Sequence, residues 1–101
     1  MRILALEIEK PGKNTTDFHP HLGDEARAIW KFVQEDVIRE VYFRADRNTA
    51  VLLLECADVA EAQHRLASLP LVAAGLIEFE FIPLIPYPGL ARLFADQGGA
   101  R

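Results

Sequence analysis

The sequence contains a single cysteine, Cys56, among its 101 residues. One cysteine cannot form a disulfide bond within the chain, and it cannot supply the several thiolates of a zinc or iron–sulfur cluster. Because Cys56 ends the apolar run LLLEC, we interpret its thiol as a small buried hydrophobic group. A disulfide framework and a multi-cysteine metal site are therefore both excluded.

Basic residues are also few. There are 11 Lys and Arg against 15 Asp and Glu, which gives a net charge of -4 and an isoelectric point near 5.3. Binding to nucleic acids and to anionic membranes depends on clustered positive charges, so neither partner is expected. The apolar run at the start of the chain is too short for a signal peptide or a membrane span. These features predict a cytoplasmic protein.

Apolar residues, in contrast, are abundant. They make up 50% of the chain and raise the mean hydropathy to +0.07. A chain of this length forms one small domain, whose high surface-to-volume ratio should favour polar residues. The excess of apolar residues therefore predicts a single domain over residues 1–101 that buries part of its surface in a homodimer or larger homo-oligomer.

The hydrophobic pattern predicts the element order strand, helix, strand, strand, helix, strand. The predicted elements are a strand over 2–9, a helix from Asp24 to about Asp36, strands over 37–44 and 49–56, a helix from Asp58 to Leu69 that Pro70 ends, and a strand over 76–82 after a turn at Gly75. A long loop over 10–23 and a Pro-rich C-terminal extension over 83–101 complete the chain. This order predicts an α+β, ferredoxin-like βαββαβ fold, with a four-stranded antiparallel sheet and two helices on one face.

The two predicted edge strands alternate between apolar and polar residues, which assigns their side chains to opposite faces of the sheet. The residues predicted to face the helices are Val41, Phe43, Phe79 and Phe81, and those predicted on the other face are Glu40, Tyr42, Arg44, Glu78 and Glu80. A second sheet packed on that mixed face would enclose an apolar cavity with a few polar groups, which is typical of a small-molecule site. The alternative is that these polar residues are solvated and protect the edges from strand addition.

One segment resembles a known family. Residues 39–72, REVYFRADRNTAVLLLECADVAEAQHRLASLPLV, resemble the muconolactone isomerase family of dimeric α/β-barrel proteins. The matching features are the region of Arg39 and Tyr42, the acidic strand end at Glu55, and the LxxLPL ending over residues 66–71. The resemblance implies a dimeric α/β barrel with two sheets packed back to back. It also implies a small-molecule ligand in a cavity at or near the subunit interface.

The resemblance also implies a reaction. The family's named activity moves a double bond in an unsaturated lactone by removing and returning a proton, without a cofactor or a metal. Such chemistry needs a base in an apolar place and a donor for the enolate oxygen. The residues that this implies are Glu25 or Glu40 as proton shuttle, Tyr42 as donor, and Arg39 or Arg44 as the group that holds a substrate carboxylate. The chain departs from the family where Ile38, Arg39 and Glu40 replace a Trp-Arg-His run, and at its Pro-rich end.

Three further residues are candidates for ligand contacts. Trp30 lies on the apolar stripe of the first helix, where core packing is the main interpretation and lining of a ligand cavity is the alternative. His19 and His21 flank Pro20, but no third residue has the spacing of a metal ligand, so shielding of the cavity is favoured over metal binding. Two other functions stay open, a non-catalytic dimer that binds a small metabolite and a cofactor-independent monooxygenase of the same barrel class.

Overall fold

The computed structural model of the protein describes residues 1–94, and its four-stranded antiparallel sheet carries helices on one face. The strands are β1 (Arg2–Glu9), β2 (Ile38–Phe43), β3 (Ala50–Glu55) and β4 (Ile77–Leu84). The helices are α1 (Thr15–Phe18), α2 (Leu22–Gln34), α3 (Val59–Leu66) and α4 (Pro70–Ala73), with 3-10 turns at His19–His21 and Pro88–Leu93. Across residues 1–94, none of the helices is both long enough and apolar enough to span a bilayer. The predicted ferredoxin-like α+β fold is confirmed.

The strand order β2-β3-β1-β4 places β1 and β3 in the centre of the sheet and β2 and β4 at its edges, as predicted. The central strands have apolar residues in both phases, although the helices cover only one face, and Leu4 and Leu53 on the other face are partly exposed. On the helix-facing side, Ile3, Ala5, Leu52 and Leu54 are fully buried. They form the core together with side chains of α3 and of the chain that follows it. Cys56 is buried too, in agreement with its interpretation as a hydrophobic group.

Two sharp turns return the chain from a helix to the sheet. After α2, Asp36 adopts the left-handed conformation (φ 62°), and the N–H groups of Asp36 and Val37 donate to carbonyls of the last helical turn. After α4, Gly75 does the same (φ 75°), with N–H donation from Gly75 and Leu76. Both are Schellman caps, in which a left-handed residue lets the chain satisfy the free carbonyls of the helix and leave in a new direction. The turn predicted at Gly75 is therefore confirmed.

The prediction of a loop over residues 10–23 is wrong for residues 15–23, which are helical. Asn14 accepts from the N–H groups of Thr16 and Asp17, while Asp17 accepts from Asn14 N–H, which forms a capping box for α1. A 3-10 turn then leads directly into α2, which begins at Leu22 and not at Asp24. Asp24 does not cap the helix; its carboxylate pairs with Arg27 at 2.9 Å.

The helix end predicted at Pro70 is also wrong. The second long helix, α3, is capped by Asp58 as predicted, since Asp58 Oδ1 accepts from Glu61 N–H at 2.8 Å, but it ends already at Leu66. Pro70 starts the short helix α4 and does not end α3. Proline suits a first helical position because the N–H that it lacks would have no partner there. The consequence is that α4 presents a free backbone N–H at its second residue, Leu71.

The Pro-rich extension begins two residues later than predicted. Pro83 lies within the edge strand β4, opposite Ile3, where a missing N–H is tolerated. From Ile85 to Phe94 the chain leaves the sheet, and its large apolar side chains, such as Ile85 and Phe94, are mostly exposed. The predicted extension over residues 95–101 lies outside the described residues.

Candidate active site

A cavity of about 550 Å³ lies between α2 and the helix-facing side of the sheet. Among residues 1–94, the wall residues are apolar except for two with carboxyl groups, Glu7 and Glu25. The other wall residues are Leu22, Ala26, Ile29, Trp30 and Val33 of α2, Val41, Phe43, Ala50, Leu52 and Phe79 of the sheet, and Leu71 of α4. A cavity of this size with few polar groups has the usual character of a small-molecule site.

The cavity opens towards the edge strand β2. Helix α2 covers the central strands but leaves the helix-facing side of β2 open, so Phe43 is 67% exposed and Val41 44% exposed. Trp30 stands on the opposite side of this opening and is 60% exposed. Core packing, the main interpretation of Trp30, is therefore wrong. The structure places Trp30 in the cavity wall, which was the alternative.

Glu25 lies on the first turns of α2 and is half-buried. Its Oε1 accepts a hydrogen bond from Leu71 N–H at 2.9 Å, so that α2 provides the partner for the free N–H at the start of α4. Burial is the main influence on this group and raises the pKa of Glu25, while the bond from Leu71 and the positive charge of His21 lower it. Because Leu71 uses one oxygen, the second is available to a ligand in the cavity.

Glu7 lies on the central strand β1, in phase with the buried residues Ile3 and Ala5. Its Oε1 accepts from Ala50 N–H at 3.1 Å, just beyond the paired residues of β1 and β3. Burial again has the largest effect and raises the pKa of Glu7, the bond from Ala50 lowers it, and the negative charges of Glu9 and Glu25 raise it further.

The two carboxyl groups in the cavity differ in the charged groups that surround them. Glu7 has two acidic neighbours, whereas Glu25 has a basic one, His21. A neighbouring negative charge disfavours ionisation and a neighbouring positive charge favours it. These neighbouring charges therefore favour ionisation of Glu25 and disfavour ionisation of Glu7.

The raised pKa values of this pair predict how stability depends on pH. A carboxyl group with a raised folded-state pKa binds its proton more tightly in the folded protein, so its stabilising effect is present below pH 4.5, the ordinary value for Glu, and is lost as the pH rises through the folded-state pKa. Glu25→Gln should therefore lose less stability than the wild type between about pH 4.5 and neutrality. Urea unfolding across this range measures the difference, with Glu35→Gln, an exposed acid of the same region, as control. Parallel curves for Glu25→Gln and wild type would contradict this expectation.

Most of the catalytic and binding residues predicted from the sequence lie elsewhere. Glu40 and Tyr42 are exposed on the sheet face opposite the helices, where the Tyr42 hydroxyl donates to Glu40. Arg44 belongs to the same face by alternation and binds Asp46 through two hydrogen bonds, Nε to Oδ1 at 2.9 Å and a terminal nitrogen to Oδ2 at 2.6 Å. Arg39 lies at the irregular pairing between Ile38 and Glu40, where its Nε donates to the carbonyl of Asp36 at 3.0 Å.

The structure thus brings together Glu25 and Trp30 of the predicted set and leaves Glu40, Tyr42, Arg39 and Arg44 out of the cavity. His19 and His21 lie in the 3-10 turn just before α2, and neither lines the cavity. His21 is close enough for its charge to act on Glu25, whereas His19 is exposed. Within residues 1–94, there is no group of three or more His, Cys, Asp or Glu side chains with the geometry of a metal site.

Glu7 is the functional candidate that the sequence analysis missed. The signal was present, because Glu7 occupies the same alternation phase as Ile3 and Ala5, and an acid in the buried phase of a central strand needs an explanation. The partner of Glu25 was also missed. Leu71 N–H becomes free only because Pro70 starts a helix, and that depends on the tertiary position of α4.

We compared the chain with known proteins. No family model matches the sequence, and no curated protein sequence matches it. Among solved structures, the fold is similar to that of 5-chloro-2-hydroxyhydroquinone dehydrochlorinase from Burkholderia phenoliruptrix AC1100 in complex with 2,5-dihydroxybenzoquinone. The TM-score is 0.59 at 14% sequence identity, and the match covers 84% of this chain and 94% of that chain. At this identity the similarity shows the fold alone.

Proposed function

We propose that the protein is a cofactor-independent enzyme that moves a proton, and with it a C=C bond, on a small unsaturated lactone or organic acid. The observation that carries this proposal is the pair of half-buried carboxyl groups, Glu7 and Glu25, in one apolar cavity of about 550 Å³. An apolar environment strengthens a carboxylate base because it raises its pKa towards the working pH. The same environment favours the protonated, hydrogen-bond-donating form of Glu7.

In the proposed reaction, the Glu25 carboxylate removes a proton from the saturated carbon attached to the far end of the C=C bond that is conjugated with the substrate carbonyl. The electron pair of that C–H bond forms a new C=C bond, the electrons of the original C=C bond shift towards the carbonyl, and the carbonyl oxygen becomes an enolate oxygen that accepts a hydrogen bond from protonated Glu7. The proton on Glu25, or solvent deuterium that has replaced it, then returns to the carbon next to the carbonyl, which shifts the double bond and restores the Glu25 carboxylate. No electrons are lost or gained in this sequence, so no oxidant or reductant is needed.

The fold similarity gives independent support. The similar structure is named as a dehydrochlorinase and holds 2,5-dihydroxybenzoquinone, a small oxygenated ring. A ligand of that size fits a cavity of about 550 Å³. The muconolactone isomerase family, which residues 39–72 resemble, also acts on a small oxygenated ring.

The test is exchange of solvent deuterium into muconolactone and a series of substituted lactones, followed by NMR. We expect deuterium at the carbon next to the carbonyl, and for a true substrate a shifted double bond. A denatured sample measures the background. No exchange above that background with any lactone of the series would contradict the proposed activity.

A second function, the carriage of a hydrophobic metabolite without turnover, is favoured by a different observation. The lining of the cavity is almost entirely aliphatic and aromatic, and of its polar groups only two carboxyls are ionisable. A carrier would be stabilised against heat by a ligand that is recovered unchanged. Turnover of that ligand would exclude this alternative.

We propose further that the protein forms a homodimer through the sheet face opposite the helices. In the single chain this face carries apolar side chains on all four strands: Leu4, Leu6 and Ile8, Tyr42, Val51 and Leu53, and Ile82 and Leu84. Sheets of this kind usually have one face covered and one face solvated and polar, so an apolar second face needs a partner. The polar residues Glu40, Arg44, Glu78 and Glu80 would then form the rim of the interface.

A further inference from the structure

A second, more polar chamber continues from the cavity. It has a volume of about 410 Å³ and shares four wall residues with the cavity: Glu7, Leu22, Phe43 and Leu71. Its own walls are formed by Glu9, Lys13, Asn14, Thr15, Phe18 and Asn48. We call this second chamber the vestibule. A ligand that fills the cavity can therefore extend past Glu7 into a space of different chemical character.

The vestibule contains one cation, two carboxyl groups and several neutral hydrogen-bonding side chains. Lys13 is its only cation, and among residues 1–94 its ammonium group has no ion-pair partner. The Oδ1 of Asn14 already accepts from Thr16 and Asp17, so only its amide N–H groups remain for a ligand. The amide of Asn48 adds further donors. The carboxyl groups of Glu7 and Glu9 supply acceptor oxygens, and Glu7 already accepts from Ala50 N–H.

The two chambers together define a class of ligand. We infer that the protein binds a small amphipathic acid whose apolar ring fills the cavity and whose carboxylate lies in the vestibule beside Lys13. This inference rests on the proposed function for the role of Glu25, and it adds the substrate class and the residue that selects it. A hydrogen bond from the Lys13 ammonium to a ligand carboxylate is charge-assisted, and such a bond is stronger than one between two neutral groups.

Arg39 and Arg44 were the sequence-based candidates for holding a substrate carboxylate. Both lie away from the cavity, and Arg44 is already occupied by Asp46. We assign that role to Lys13, because the loop after β1 places it in the wall of the vestibule. Since Lys13 precedes the capping box at Asn14, its backbone position is set by the start of α1.

The inference can be tested with three ligands of one shape. These are 3-phenylpropionate, 3-phenylpropionamide and 3-phenylpropylamine, which share the ring and linker and differ in the charge of the head group. Trp30 is the only tryptophan of the chain and lines the cavity, so its fluorescence reports binding directly. We expect the acid to bind the wild type more tightly than the amide by about three- to tenfold, the size of a charge-assisted contact that stays partly hydrated.

In Lys13→Gln the preference for the acid over the amide should disappear, while affinity for the amide stays the same. Lys31→Gln, an exposed lysine of α2 that does not line either chamber, should keep the preference. Equal binding of acid and amide to the wild type, tightest binding of the amine, an unchanged preference in Lys13→Gln, or no saturable Trp30 response to any of the three would each overturn the inference.

The same ligands separate this inference from the proposed function. Glu25→Gln should keep the preference for the acid, because Glu25 lies in the cavity wall and not in the vestibule. If lactone exchange fails in the wild type but the acid preference depends on Lys13, only the proposed reaction is wrong. If exchange succeeds and the preference is absent, only the ligand class is wrong.

Discussion

Glu25→Gln should slow deuterium exchange into the lactone substrate by a factor of about 10²–10⁴, the range typical for the loss of a positioned acid or base. The substitution keeps the size of the side chain and the acceptor for Leu71 N–H, which lies 2.9 Å from Glu25 Oε1. It removes only the ability to take up a proton. The rate of exchange, measured by NMR at saturating lactone, gives the effect.

The controls for Glu25→Gln distinguish loss of chemistry from loss of structure. Glu35→Gln changes an exposed acid near the end of α2 and should leave the exchange rate unchanged. Trp30 fluorescence and binding of 3-phenylpropionate show whether the cavity of Glu25→Gln is intact. Glu40→Gln tests the other assignment. A loss in Glu40→Gln that matches or exceeds the loss in Glu25→Gln would place the reaction on the open sheet face and contradict the assignment to the cavity.

The pH dependence of the rate provides a second test of this assignment. Burial raises the pKa of Glu25, so a given fraction of the base form is reached at a higher pH than for an ordinary Glu. The exchange rate should rise with pH through that raised value, and fall again at higher pH as Glu7 loses its proton. Glu7→Gln should remove the fall at high pH and keep the rise. A rise that is already complete at pH 4.5 would contradict a base of this kind.

The fold could be predicted because alternation and helical spacing report directly on burial. The phase of β2 and β4, with Val41 and Phe79 on one face and Glu40 and Glu80 on the other, is found in the structure as the sequence predicts. The errors lie where the local propensity of a residue is compatible with two different structures. Pro70 suits both the end of one helix and the start of the next, and only the position of α4 against Glu25 decides between them.

The candidate site could be predicted only in part, and the reason is geometric. Alternation assigns Glu40 and Tyr42 to one face of the sheet, but it does not tell which face holds the cavity. The resemblance over residues 39–72 favoured the face of Arg39 and Tyr42, whereas the structure forms its cavity under α2. The sequence shows Glu7 as an acid in the same alternation phase of β1 as the buried Ile3 and Ala5. Its pairing with Glu25 depends on how α2 crosses the sheet, which no local pattern encodes.

The second large effect is expected on the sheet face opposite the helices, through which we propose that the homodimer forms. Leu53→Glu should dissociate the proposed homodimer, with an increase in its dissociation constant of about 10²–10³-fold. Leu53 lies on the central strand β3, between Leu4 of β1 and Glu40 of β2. A carboxylate at this position would be buried without a partner when two sheets pack together, and an uncompensated buried charge costs about 3–5 kcal/mol. In the single chain Leu53 is only partly buried, so the monomer fold should tolerate the change.

Sedimentation velocity over a range of concentrations measures the expected dissociation. Ala60→Glu is the matched control, because it adds the same charge on the exposed side of α3, away from the open face. The cavity under α2 lies on the other side of the sheet from Leu53, so 3-phenylpropionate should still quench or enhance Trp30 fluorescence in Leu53→Glu. A monomeric wild type, or a dimer that Leu53→Glu leaves intact, would show that the apolar open face has another purpose. If binding at Trp30 is lost together with the dimer, the cavity is complete only in the assembly.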